Sequence, residues 1–326
     1  MRLRGIDFGP VWGASGVQGW FGEGYRFHHW WGPLGPRFDG MTFVSKTTTL
    51  NAREGNMALT GPSKLPGFAG WQPKRLVPKC VKVYPFKGMV VNSVGLSGPG
   101  AQALFDAGKW QERKTPFLLS FMSVAPTPEE RLNELIAFRD LLLDYVPTMR
   151  AKLALQINFS CPNVGLDPSA LTAEIQTALD LFADMGVPIV PKFNTKVPIE
   201  VALETAEHPC CDAICVSNAL PWSVAFPDRK SPLAHLGGGG VSGAPLFKHV
   251  EWWVGEARAE GLDLPLNVGG GILARRDVLA LCQAGLDFAR DSIFLGSVAI
   301  LRPWRVADLI SLAHTLKKIH TESKED

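Results

Sequence analysis

A closed eightfold β/α barrel is the architecture that the sequence predicts, and three observations predict it. Short runs of apolar, β-type residues recur along the chain, amphipathic helical stretches separate them, and 326 residues at 46% apolar content suit one barrel-type domain. The β-type runs are residues 41–44, 117–121, 154–157, 188–192, 213–217, 265–268 and 292–295. They are mostly apolar, as parallel strands covered on both faces must be. Between them lie residues 128–145, 169–185, 198–207, 244–260 and 277–284, where apolar side chains return with helical spacing. An open doubly wound sheet is the competing arrangement. A barrel gathers the residues that end its strands on one face, where such folds place their sites.

No repeat, low-complexity run or linker breaks this pattern, so residues 1–326 read as a single domain. Residues 20–40, rich in Trp, Gly and His, read as an insertion over the ligand face, and the polar tail from Lys317 as a fraying end. The net charge is +2, with Lys+Arg 33 against Asp+Glu 31, which offers no bulk attraction to nucleic acid or to an acidic membrane. No apolar run reaches the roughly 20 residues that span a bilayer. The start, Met1-Arg2-Leu3-Arg4-Gly5, leads to Asp7, Gly9 and Pro10 rather than to an apolar signal core, and a cytoplasmic location is expected. The six cysteines include no Cys-x-x-Cys pair, so no metal is expected, and Cys210, Cys211 and Cys215 read as small core residues.

Chemistry-bearing residues fall at the predicted strand ends. The run Asn158-Phe159-Ser160-Cys161-Pro162-Asn163 sets a thiol between two carboxamides where a buried strand becomes a loop, and the proline ends the ladder. Two carboxamides can grip a planar imide or amide ring while the sulfur exchanges a proton with it. Gly13-Ala14-Ser15-Gly16 lets backbone amides approach a flat or anionic ligand, or is simply a tight turn. Lys46, followed by Thr47-Thr48-Thr49 and by Arg53-Glu54-Gly55-Asn56, leaves an apolar run among hydroxyls; it holds an anion or is a solvated surface lysine. Asn92-Ser93-Val94-Gly95-Leu96 serves a ligand or caps a turn. Lys192 sits between apolar neighbours, a costly place unless an anion or a salt bridge meets it. Val216-Ser217-Asn218-Ala219 ends the next run. Three glycine-rich turns follow, at 237–243, 269–271 and Gly296-Ser297, of the kind that offer backbone N–H groups to phosphate.

Taken together and in order, from about Gly9 to about Trp304, these motifs resemble the dihydroorotate dehydrogenase family, the Asn-x-Ser-Cys-Pro-Asn element most specifically. The resemblance implies an FMN-binding β/α barrel that oxidises dihydroorotate to orotate in pyrimidine biosynthesis. Cysteine at 161 points to the soluble class 1 enzymes, as does the lack of an N-terminal membrane extension. By the resemblance, Cys161 is the catalytic base, and hydride passes from the substrate to flavin N5. Lys46, Asn92, Val94, Gly95, Leu96, Asn158, Asn163, Asn218 and Ala219 match substrate-binding positions. Ala14, Ser15, Gly16, Lys46, Thr47, Asn158, Lys192, Ser217, Gly243, Gly270, Gly271, Gly296 and Ser297 match positions around FMN, with Gly270, Gly271, Gly296 and Ser297 at its phosphate. A homodimer is implied, and electrons pass on to fumarate or, through a separate electron-transfer subunit, to NAD.

The chain departs from the family at four places. Ala219 stands where Ser or Thr is usual, which removes one hydrogen bond to the ring and opens an alternative: an FMN-dependent reductase or dehydrogenase of a related dihydropyrimidine or another small cyclic substrate. The segment between Gly285 and Gly296 is longer, with Arg290 and Asp291 added, and residues 20–40 and 221–238 are unfamiliar. These segments are expected where a substrate lid and subunit contacts would lie.

Overall fold

The computed structural model describes residues 1–62, 70–159 and 168–324. Seven strands pair in parallel in the order Val11–Gly13, Ser292–Leu295, Leu266–Gly269, Ile214–Val216, Ile189–Phe193, Leu153–Asn158, Phe117–Phe121. Residues 42–44 close the gap between the first and the last. Thr42 N donates to Val11 O at 2.9 Å and Leu118 N to Phe43 O at 3.0 Å. Parallel bridges join Trp12 to Thr42 and Val44 to Leu118. This eighth stave, built of bridges alone, makes the sheet the barrel that the alternating pattern predicts.

Strand parity decides which side chains enter the barrel. Phe117, Leu119 and Phe121 point out to the helices, in one apolar cluster with Leu153, Leu155, Ile157, Val250 and Val268. Leu118, Ala154, Val190, Ala213, Cys215 and Phe294 point in, packing with Met1, Phe8 and Trp12. The same parity sends Ser120, Asn158 and Lys192 inward, one or two layers nearer the strands' C-terminal ends. Helices between the strands cover the outer face, and their ends are set by local chemistry. Thr127 caps Pro128–Tyr145, accepting from Glu130 N at 3.2 Å while the Glu130 carboxylate accepts from Thr127 N at 3.2 Å.

A second, antiparallel sheet sits on the C-terminal side, in the order Leu220–Pro221, Gly240–Gly243, Met89–Asn92, Val81–Tyr84. Residues 240–243, expected to be a glycine turn, are therefore a strand. Their backbone pairs with Met89–Asn92 over its whole length, with Val241 buried beneath.

Two further expectations are corrected, and one is seen in finer detail. Residues 20–40 divide: Trp20 is fully buried, whereas Arg26–Leu34 is a 3-10 turn set against Pro303–Arg305, with Trp31 and Trp304 in edge contact at 5.9 Å. The polar end does not fray at Lys317, because helix Val306–Glu322 runs through it. Lys317 Nζ binds Asp7 at 2.8 Å and His320 Nδ1 lies 3.1 Å from Asp287, which ties that helix down. The added Arg290 and Asp291 lie at the start of strand Ser292–Leu295, the end of the barrel away from the ligand face. Asp291 is fully buried and bound by Arg258 Nη2 at 2.9 Å through both oxygens, and Arg290 reaches Asp263. Among the described residues, no helix is long and apolar enough to cross a membrane.

Candidate active site

Inward parity and strand-end loops bring the sequence-predicted residues into one hydrogen-bonded chain. Lys192 Nζ donates to Ser15 Oγ at 3.3 Å, and Thr47 Oγ1 donates to the same oxygen at 3.2 Å. With that proton given to Ser15, Thr47 Oγ1 accepts from Ser120 Oγ at 3.0 Å. Asn158 Nδ2 donates to Ser120 Oγ at 2.9 Å and to Phe121 O at 3.0 Å. Asn218 Nδ2 closes the series by donating to Asn158 Oδ1 at 3.4 Å. Residues from six loops and strands thus hold one another's orientation. With Nδ2 anchored to the barrel, Asn158 has its carbonyl turned toward Asn218.

The two lysines set the electrostatics. Lys46 and Lys192 are 7% and 3% exposed, and neither has a carboxylate partner among the described residues. Lys46 Nζ donates to Ser97 O at 2.7 Å and stands 4.7 Å from the centre of the Trp20 ring. Burial lowers its pKa to about 8. Burial also pushes Lys192 below the usual lysine range, with the Cys215 thiol acting in the opposite direction, and its Nζ lies 5.2 Å from the Phe294 ring centre. A buried ammonium without a counter-charge costs several kcal/mol, so two such groups fit an anionic ligand.

Backbone geometry supplies the rest of the cleft. Gly95 at φ +70° and Leu96 at φ +55° turn the chain so that Ser97 O meets Lys46. Leu96 carries a branched side chain in the left-handed region, which costs roughly 1–2 kcal/mol. Val94 O accepts from Asn56 N at 2.8 Å, and Asn92 lies opposite Gly240 in the antiparallel sheet. Gly270 borders Ser217: a Cβ there would stand 3.2 Å from Ser217 Oγ and only 2.8 Å from Leu246 Cδ2. At Gly271, which has φ +95°, a Cβ would collide with Gly243 O, and at Gly243 one would collide with Gly88 O. Only glycine lets the 269–271 turn meet the start of helix Ala244–Ala259. A Cβ on Gly296 would likewise stand only 2.8 Å from the Ala14 methyl, and Ala14 N donates to Leu295 O at 2.8 Å. Ser297 then opens the short helix Val298–Leu301.

Cys161 and Asn163 lie outside the described residues. Asn158 and Asn218 are joined to the network, whereas the Asn92 side chain stands apart from it. The Ala219 methyl packs against Gly240, where a Cβ would lie 2.7 Å from it. Sequence reasoning missed Ser120, Ser97 and Trp20. Ser120 did carry a signal, as the lone hydroxyl in the run Phe117-Leu118-Leu119-Ser120-Phe121. Ser97 acts through its carbonyl, which no side-chain pattern reveals.

Fold and site define a β/α-barrel protein with a polar, cation-lined cleft at the C-terminal ends of its strands. Comparison with known sequences makes this specific. A model of the family described as dihydroorotate dehydrogenase matches residues 72–290. The chain belongs to that family, and so to the oxidoreductases that act on CH–CH bonds. The chain is 28% identical over 326 residues to a dihydroorotate dehydrogenase B (NAD(+)) catalytic subunit of Desulforudis audaxviator, covering 96% of this chain and 89% of that one. It is 27% identical over 301 residues to a dihydroorotate dehydrogenase A (fumarate) of Limosilactobacillus reuteri, covering 88% and 84%. The crystal structure of the Eimeria tenella enzyme in complex with ferulenol shares the fold, at TM-score 0.62 and 15% identity over 99% of this chain and 88% of that one.

Proposed function

We propose that this protein oxidises dihydroorotate to orotate with FMN as its cofactor, in the cytoplasm. One observation carries the reading: two buried ammonium groups, Lys46 and Lys192, flank a fixed array of hydroxyls and carboxamides and have no carboxylate of their own among the described residues. That donor set suits an anionic, ring-shaped pair of ligands. Ala14, Ser15, Gly16, Thr47, Lys192, Ser217, Gly243, Gly270, Gly271, Gly296 and Ser297 would hold FMN. The glycines would receive its phosphate, and Lys192 would counter negative charge on its ring. FMN, when bound, supplies the two-electron acceptor for the hydride leaving C6 of dihydroorotate.

The chain's own residues do the remaining work. Cys161, as thiolate, takes the proton from C5. A free thiol has a pKa of about 8.5, so closure around the substrate and exclusion of water must assist it. Lys46, held at Ser97 O, meets the substrate carboxylate. Asn92, Asn158, Asn163 and Asn218 grip the ring, with Asn158 and Asn218 oriented by the Ser120 chain, and Val94, Gly95 and Leu96 line the pocket wall.

The test is direct. The purified protein should be yellow, and dihydroorotate should bleach it. Cys161→Ala should keep the colour and lose about 10²- to 10⁴-fold in turnover. A colourless protein that refuses FMN ends this reading. Ala219 favours a second one, a related dihydropyrimidine or other small cyclic substrate, since its methyl offers the ring no hydrogen bond. Bleaching by another ring but not by dihydroorotate would select it. The relatives named as NAD-type catalytic subunits and as fumarate-type enzymes support either acceptor, the former through an electron-transfer subunit. Assays with fumarate, NAD and quinone decide between them, and sedimentation tests the homodimer.

A further inference from the structure

Trp20 is a large, fully buried side chain at the cleft that the chemistry above leaves unused. Its ring centre lies 4.7 Å from Lys46 Nζ. The backbone that carries it is fixed from two sides. The Glu23 carboxylate accepts from Trp20 N at 3.1 Å and from Phe21 N at 2.7 Å, and Trp110 Nε1 donates to Trp20 O at 2.6 Å. The ring packs edge-on against Trp71 at 6.2 Å, and its Cζ2 lies 3.5 Å from where a Cβ on Gly98 would stand. Gly98 follows Ser97, whose carbonyl receives the Lys46 ammonium. One face of the indole and one edge therefore wall both the cation and the group that holds it.

Trp20 Nε1 finds no acceptor among the described residues. A buried, unpaired N–H is costly, and a phenyl ring would fill much of the same volume without one. The indole's advantage over phenyl is a more negative π face, the best aromatic partner for a cation. We propose that Trp20 is a positioning residue, whose π face acts with the Ser97 carbonyl to hold Lys46 as an ammonium at the point where the substrate carboxylate arrives. Only its last clause rests on the dihydroorotate reading.

The other charged groups nearby stand apart from this contact. Lys192 lies across Ser15, to which it donates. Glu23 and Arg113 stand behind the Trp20 turn, Arg113 Nη1 donating to Phe21 O at 2.9 Å. Burial alone accounts for the lowered pKa of Lys46. Burial raises Glu23 to about 7, so its charge change overlaps the lower part of the Lys46 titration in the parent and in the Trp20 variants alike, all of which keep Glu23.

The experiment follows the Lys46 Nζ resonance of ¹⁵N-lysine-labelled protein against pH, with Lys46→Met supplying the assignment. Trp20→Phe should lower the Lys46 midpoint by about half a unit and Trp20→Leu by about one unit, while Lys192 stays where it was. If Trp20→Leu does not fold, Trp20→Phe alone decides. A midpoint within about 0.2 unit of the parent in the folded variants overturns the proposal. This readout needs neither substrate nor turnover. A shifted midpoint in a protein that fails to bind orotate supports the role of Trp20 while sinking the dihydroorotate reading.

Discussion

At the N-terminal end of the barrel, both oxygens of the buried Asp291 carboxylate accept from Arg258 Nη2 at 2.9 Å, and the same carboxylate accepts from Leu266 N at 2.8 Å and from Asp287 N at 2.8 Å. At the C-terminal end, Lys46 and Lys192 are nearly as deeply buried, yet a carbonyl and a hydroxyl are the hydrogen-bond partners they find among the described residues. The first charge is saturated by the fold and holds the base of two strands together. The second pair has no carboxylate among the described residues, which fits a counter-charge brought by a ligand. Burial alone thus does not distinguish a structural charge from a functional one, and the completeness of its partners does.

The sharpest way to break this contrast is at the saturated end. Asp291→Ala strands Arg258 in the interior, and denaturant unfolding should show a loss of about 3–5 kcal/mol. Orotate and FMN affinities of the folded fraction should not move. A changed affinity with unchanged stability would reverse the assignment of the two ends.

Lys46→Met should do the opposite. Orotate binding should weaken about 10- to 100-fold, the worth of a charged hydrogen bond, while the ligand-free protein melts higher. The pH dependence carries the sign. The native pKa of about 8 lies below the ordinary 10.5, so between those values the unfolded chain holds more protons. Stability due to this group therefore rises with pH across that window, and melting curves of Lys46→Met should lack the rise. A smaller effect is expected from Ser120→Ala, which removes one anchor of Asn158. A loss of about 1 kcal/mol in orotate binding, roughly fivefold, is expected from titration, with flavin colour retained.

The alternation of apolar runs and helical stretches was readable because buried parallel strands leave little room for polar residues. Phe117–Phe121 and Ser292–Leu295 match their expected bounds to the residue. Val11–Gly13 escaped notice because three residues carry no period, and residues 240–243 because two of the four are glycine. Lys46, Lys192 and Asn158 were legible as polar groups breaking apolar context. Trp20 was not, because a tryptophan among other tryptophans and glycines looks like packing until its neighbour is known to be a cation.

The meeting of Gly88, Gly243 and Gly271 has a mechanical consequence. Gly88 O accepts from Ala244 N at 2.8 Å at the very point where Gly243 has no space for a side chain. The outer hairpin, the helix behind it and the 269–271 turn are thereby riveted at a single backbone crossing. A methyl group added at position 243 would act as a wedge, prying the surface ribbon off the barrel and slackening the cleft in the same movement.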